Sequence, residues 1–257
     1  MNANSSFKRR VRERQTLLGT FIKTPAFQTL EVLGESGLDF TVIDAEHAPL
    51  DRGHLDVMAM AAVSAQIPTL VRIADATERS ILQVLDVGYT GVLVPHAISA
   101  ADVVHVVRAS RYKDGTRGFS NSPRAGRYGR VGMAAHIAAA DEASVVLCQI
   151  EDSLAIDNID EIAAIEDIDC LFVGRGDLAV SFGKTSVTED QVVAAVRKVA
   201  DACERHGKAS GIFISSLSEL REFREMGFTL FILGSDQGLL RGAASSMAAQ
   251  FRAEAGR

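Results

Sequence analysis

Eight short apolar runs alternate with longer amphipathic stretches along 257 residues, and no linker, low-complexity tract or long charge run divides them. This rhythm limits the fold more than any other feature of the chain. The runs are Thr16–Lys23, Phe40–Glu46, Thr69–Ile73, Gly91–Pro95, Ser144–Glu151, Cys170–Gly174, Ala209–Ile214 and Thr229–Ser235. They are β-branched and almost continuously apolar, as strands buried on both faces of a parallel sheet must be. Helical spacing follows each of them, at Pro25–Ser36, Asp51–Ala65, Thr77–Val87, Ser99–Arg108, Ser153–Ile165, Thr188–His206, Ser216–Met226 and Gly238–Ala253. Gly37, Gly88, Gly207 and Gly227 stand where helices must stop before the next strand. Eight βα units predict an α/β fold, a single-domain (β/α)8 barrel spanning residues 1–257. An open doubly wound sheet is the alternative, and the lack of a G-x-G-x-x-G after the first strand favours the barrel.

Composition narrows the setting. Hydrophobic residues make up 47% and charged residues 23%, and the formal net charge is −6. These values suit a globular chain and argue against a nucleic-acid partner, which needs a basic face. No apolar run reaches the ~20 residues of a membrane span. The first fifteen residues carry charge without the apolar core of a secretory signal. Cys148, Cys170 and Cys203 form no C-x-x-C pair, so neither a disulfide framework nor a cysteine zinc site is expected, and the setting expected is cytoplasmic.

In a barrel the chemistry sits at the C-terminal ends of the strands. There the second run ends in Asp44, Glu46 and His47, the third in Arg72, and the fourth in His96. The fifth ends in Gln149 and Glu151, and the sixth runs through Gly174, Arg175 and Gly176 into Asp177. Glu151 and Asp177, on neighbouring strands, suit a hard divalent ion such as Mg²⁺ or Mn²⁺ whose other positions go to water or substrate. Taken singly, each reads better as a helix N-cap; together, with Arg72 and His47 at the same rim, they favour the metal. Asp44, three residues before His47, could orient that imidazole as a general base. Arg72 must face a carboxylate or an anionic ligand, and an Arg–Asp pair closing the barrel is the simpler alternative. The glycines of GRGDL allow close backbone approach to an anion. Lys23 is the one lysine placed to support a Schiff base instead. His54, His105, His136 and His206 read as surface residues on helical stretches. Residues 111–130, glycine-rich and basic, are too long for an ordinary connection and predict a lid or an interface, or else a solvated excursion.

In this order LLGTFIKTP, DFTVIDAEHAP, PTLVRI, VLDVGYTGVLVPH, RYKDGTRG, VLCQIED and LFVGRGDLAVSFG resemble the HpcH/HpaI aldolase/citrate lyase family, class II pyruvate aldolases of the phosphoenolpyruvate/pyruvate barrel superfamily. The likeness runs from about Leu17 to Asp236. It implies a lyase that joins or splits a 4-hydroxy-2-oxo acid through an enolate, from an aldehyde and a pyruvate or hydroxypyruvate donor. It implies that Glu151 and Asp177 bind Mg²⁺, Mn²⁺ or Co²⁺, and that Gln149 and the Gly174, Arg175, Gly176 and Asp177 turn hold substrate. Arg72 would steady the enolate oxygen, and His47 with Asp44 would move the proton. Asp86, in VLDVG, would support the histidine across a subunit interface, and the region after Phe213 would meet the aldehyde. The resemblance also implies a C-terminal helix exchanged between subunits of a homohexamer, a trimer of dimers. Two departures stand out: Arg175 replaces the usual proline of the G-P-x-D-L turn, and RYKDG lacks the prolines that usually follow RY. A citrate-lyase or malyl-CoA-like lyase on the same scaffold, or a non-catalytic metal-binding barrel, are the competing functions.

Overall fold

Strand residues alternate between two hydrophobic environments, and that alternation builds the barrel. A computed structural model describes residues 3–256, with side-chain surroundings from Ser6 onward. Strands β1 (Leu17–Ile22), β2 (Phe40–Asp44), β3 (Thr69–Arg72), β4 (Gly91–Val94), β5 (Val145–Ile150), β6 (Cys170–Val173), β7 (Ala209–Ile214) and β8 (Leu230–Ser235) pair in parallel in chain order, and β8 closes on β1. Phe40, Val42, Leu70, Leu93, Leu147 and Phe172 fill the interior, whereas Ile43, Val71, Val92, Val146 and Leu171 face the helices. Two glycines make room for the interior rings. A Cβ on Gly19 would meet the Phe40 ring at 2.6 Å, and one on Gly211 would meet Phe172 at 2.7 Å.

The helices are α1 (Ala3–Arg12), α2 (Phe27–Gly34), α3 (Arg52–Ser64), α4 (Glu78–Val87), α5 (Ala100–Ser110), α6 (Met133–Ala143), α7 (Ser153–Asp157), α8 (Ile159–Ala163), α9 (Arg175–Ser181), α10 (Asp190–Arg205), α11 (Leu220–Glu225) and α12 (Asp236–Glu254). Local chemistry sets several boundaries. Asp51 accepts the His54 N–H at 2.9 Å to open α3, Thr77 accepts that of Ser80 to open α4, and Gly88, at φ 101°, ends α4. The expected helix over 153–165 is two short ones meeting at Asn158, and the one over 216–226 begins as a 3-10 turn at Leu217–Glu219.

Helix α1 lies where the sequence predicted none. Its Phe7 and Val11, one turn apart, are both 1% exposed and join the interior cluster. Phe7 packs on Phe40 with ring centroids 5.3 Å apart. Lys8 Nζ donates to the Ser144 carbonyl at 2.6 Å, and Arg12 reaches Asp169 at 2.6 Å. These partners precede β5 and β6, so α1 caps the end of the barrel opposite the strand C-termini. Phe7→Ala should therefore cost about 3–5 kcal/mol in urea unfolding, because the void opens into the barrel interior.

Helix α12 shows the reverse. None of its residues is buried, and Leu240, Met247 and Phe251 are 74%, 69% and 66% exposed. Among the described residues no helix is long and apolar enough to cross a membrane, and the three cysteines are free and buried.

Candidate active site

The period of two that places Phe40 and Val42 inside β2 also turns Asp44 inward at its C-terminal end. The same rule does this for Arg72 above Leu70 in β3, and for Gln149 above Leu147 in β5. Asp44 and Arg72 are register partners across β2 and β3. Arg72 Nε donates to Asp44 Oδ1 at 3.0 Å and Nη2 to Oδ2 at 2.8 Å, a two-pronged pair that is almost wholly buried. Lys23 Nζ adds a contact with Asp44 Oδ2 at 3.0 Å, and the His47 backbone N–H donates to Oδ1 at 3.1 Å. Burial alone would raise the Asp44 pKa, but the Arg72 guanidinium and these further donors outweigh it and hold the carboxyl at about 2.

This geometry revises one expectation. Asp44 grips the backbone of His47 rather than its ring. The exposed imidazole has Glu46 as its nearest carboxylate, with Nε2 3.7 Å from Glu46 Oε2. Arg72 thus meets both of its alternatives: it closes an Arg–Asp pair, and it still has N–H groups beyond the two that Asp44 engages. Its guanidinium also lies over the Phe21 ring at 4.7 Å, and Phe21 stands 6.1 Å from the half-buried Phe213.

Glu151, just after β5, and Asp177, in the helix that follows β6, come close enough to influence each other. Glu151 is 3% exposed, accepts the His96 backbone N–H at 2.9 Å, and is hydrogen-bonded by the Gln149 amide. Burial pushes its pKa up, the His96 N–H and ring oppose this, and the Asp177 charge adds to it. Gly174 is required here by space. A Cβ would lie 2.8 Å from both Glu151 Oε2 and Gln149 Nε2, and the Gly174 N–H is spent on the Ile150 carbonyl. Asp177, in the first turn of α9, is exposed.

Two buried oxygens at this mouth, Glu46 Oε2 and Gln149 Oε1, make no hydrogen bond, although Glu46 Oε2 lies 3.3 Å from Arg72 Nε in an ion pair. Among the described residues no group of three His, Cys, Asp or Glu forms a closed cage. Two protein carboxylates with the unpartnered Gln149 Oε1 beside Glu151 nevertheless fit a hard divalent ion that keeps positions for substrate.

Other sequence-named residues fall elsewhere. The Arg175 side chain turns from the carboxylates toward β7, donating to the Phe213 carbonyl at 2.9 Å and to Glu219 at 2.7 Å, with its guanidinium over Phe223. Asp86 sits on the outer flank of α4, paired with Arg117 at 3.0 Å, and does not meet His47 within the chain. Within segment 111–130, Arg117 and residues 124–126 pack against α4 on that flank, while Tyr112 and Lys113 bind Asp141 of α6. His136 is 3% exposed, not a surface residue. Sequence reasoning left out Lys23 as a partner of Asp44 and His96 as the donor that fixes Glu151. Both lie just beyond strand ends, the position at which barrel chemistry gathers.

The sequence matches HpcH/HpaI aldolase/citrate lyase over residues 17–243. A 5-keto-4-deoxy-D-glucarate aldolase from Shigella boydii is 32% identical over 250 residues, covering 96% of each chain. A solved HpcH/HpaI family protein from Burkholderia cenocepacia superposes with a TM-score of 0.92 at 29% identity, over 96% of this chain and 99% of that one. The citrate synthase SbnG gives 0.87 at 29% identity, over 97% and 98%. With the strand-end residues in place and the match spanning nearly the whole barrel, the chain belongs to the HpcH/HpaI aldolase/citrate lyase family.

Proposed function

We propose that the barrel mouth carries out a metal-dependent aldol reaction, reversibly splitting a 4-hydroxy-2-oxo acid into a pyruvate-type fragment and an aldehyde. The observation that carries this reading is a buried, Asp44-locked Arg72 at the same mouth as the Glu151 and Asp177 carboxylates. Breaking the bond between C3 and C4 leaves its electron pair on the donor fragment as an enolate, so the site needs a sink beside the 2-keto oxygen. Glu151 and Asp177 would hold the divalent ion, Mg²⁺, Mn²⁺ or Co²⁺, which when bound supplies positive charge to that oxygen.

The chain's own groups do the rest. Asp44 occupies Nε and one N–H of Nη2, leaving Nη1 of Arg72 to donate to the enolate oxygen from a fixed direction. His47, exposed at the rim, carries the proton to and from the donor carbon, with Glu46 as its nearest carboxylate. The backbone N–H groups of Gly176 and Asp177, in the first turn of α9, would hold the substrate carboxylate, with Gln149 beside Glu151. Phe21 and Phe213 give the acceptor an apolar side. The bare helix α12 supports exchange with a neighbour in a homo-oligomer, which would bring Asp86 of the partner toward His47. The donor is pyruvate or hydroxypyruvate.

Exchange of pyruvate methyl protons with deuterated water, followed by NMR, tests this without knowledge of the aldehyde. Exchange should require Mg²⁺, stop with EDTA, survive borohydride, and fall by about 10²–10⁴ in His47→Ala. Metal-independent exchange destroyed by borohydride would transfer the chemistry to Lys23 and overturn the reading. Likeness to the citrate synthase SbnG favours one second reading, carbon–carbon bond chemistry on a citrate-type or thioester substrate. Turnover of a CoA thioester without pyruvate exchange would select it.

A further inference from the structure

Away from the mouth, a half-open cavity of about 590 Å³ lies between α3, the end of α4, segment 117–130 and α6. Arg117, Arg124, Arg127, Arg130 and His136 line it, and no carboxylate does. In a chain of net charge −6 this is a marked local reversal of sign. The carboxylates that serve two of these arginines stand outside the cavity, in the groove between α3 and α4. Asp86 pairs with Arg117 at 3.0 Å and Asp56 with Arg124 at 2.7 Å. Arg127 and Arg130 have no ion-pair partner among the described residues.

Arg117 and Arg124 are held in place, and Arg127 and Arg130 stand exposed beside them. The Arg117 side chain is 1% exposed and lies over the Tyr112 ring at 4.4 Å. Its Nε, and that of Arg124, are buried with no hydrogen-bond partner. The turn carrying the exposed pair is built to shape. Arg127 and Tyr128 both take left-handed backbone conformations, at φ 54° and 57°, a strain retained where a site demands it. The Gly129 N–H donates to the Asn121 carbonyl at 2.8 Å, and Asn121 Nδ2 donates to the Val131 carbonyl at 2.8 Å, closing the turn. His136 Nε2 meets the Tyr112 hydroxyl at 3.1 Å. Burial first, and then the Arg117 charge, lower the pKa of His136 and disfavour its cationic form. Ala139, Ala140 and Ala143 of α6 leave an apolar wall with room beside it.

We infer that this cavity is a second ligand site, separate from the barrel mouth, for a small organic oxyanion whose charged end meets the arginine cluster and whose body rests on the alanines. Guanidinium forks match both carboxylates and phosphate esters, and the two are separable by experiment.

Isothermal titration of the full-length protein with citrate and with inorganic phosphate, at constant ionic strength, tests the inference. One saturable site per chain is expected for at least one of these anions, and the stronger binder identifies the headgroup class. The double variant Arg127→Gln/Arg130→Gln should weaken it at least about tenfold, in line with the loss of one or more charge-assisted hydrogen bonds. Ala140→Leu, which fills the void without altering charge, should weaken it as well, and Arg221→Gln on a distant surface should not. The inference is overturned if neither anion saturates, or if the arginine double variant binds as the parent does. It is also overturned if that variant changes only the oligomer mass in native mass spectrometry, which would assign the arginines to a neighbouring chain's carboxylates.

Discussion

Arg72→Ala is expected to remove about 3–5 kcal/mol of stability in urea unfolding, because it strands the Asp44 carboxylate inside the barrel with only Lys23 as a counter-charge. It should also reduce kcat/KM by about 10²–10³, the usual effect of deleting one oriented donor to a developing oxyanion. Arg72→Lys separates the two effects. It returns a positive charge to Asp44 and so recovers much of the stability, but lysine cannot grip both carboxylate oxygens and still present a fixed N–H to substrate. The pair also predicts a pH dependence. Asp44 has its folded pKa depressed to about 2, so its contribution is complete above the ordinary carboxyl range and disappears as the pH falls toward 2. The shift corresponds to roughly 2 kcal/mol. That acid limb should flatten in Arg72→Ala, and a limb unchanged from the parent would show that the pair does not stabilise the barrel.

Glu151→Gln is the second large effect. The substitution is nearly isosteric, retains an acceptor for the His96 N–H, and removes one of the two carboxylates. Metal affinity, read by calorimetry, should fall by more than the roughly 10–100-fold that loss of an outer-shell partner costs. Pyruvate proton exchange should fall by about 10³. Because burial and Asp177 raise the Glu151 pKa, the metal-free protein keeps this proton to higher pH than an ordinary glutamic acid does. Two consequences follow from the sign. Metal binding on the acid side should release a proton, and the metal-free protein should gain stability as the pH falls through the raised pKa. Both effects should vanish in Glu151→Gln. Their persistence would place the metal elsewhere.

The barrel was legible in the sequence because burial on both faces of a parallel sheet leaves continuous β-branched runs, and the helix-stop glycines mark their spacing. The candidate residues were legible for a related reason: ionisable groups at the ends of apolar strands are costly unless they are used. Helix α1 escaped because only Phe7 and Val11 carry its apolar stripe within a run of basic residues. Helix α6 escaped because its alanines give little periodic contrast. The partner of Asp44 could not be read from local spacing. His47 is three residues away, whereas Arg72 is reached only through the β2–β3 register. Arg175 likewise looked like part of the anion turn, and only the tertiary fold shows Glu219 and the Phe213 carbonyl taking its donors.

Helix α1 also bears on the order in which the molecule is completed. Its anchors are the Ser144 carbonyl, 136 residues after Lys8, and Asp169, 157 residues after Arg12. At a ribosomal rate of about 5–20 residues per second, roughly 8–30 s separate synthesis of Arg12 from that of its partner. During that interval Phe7 and Val11 have no barrel floor to enter, so α1 docks only after β5 and β6 have joined the sheet. A nascent chain arrested before Asp169 should therefore leave α1 open to protease, and one arrested after the barrel has closed should protect it.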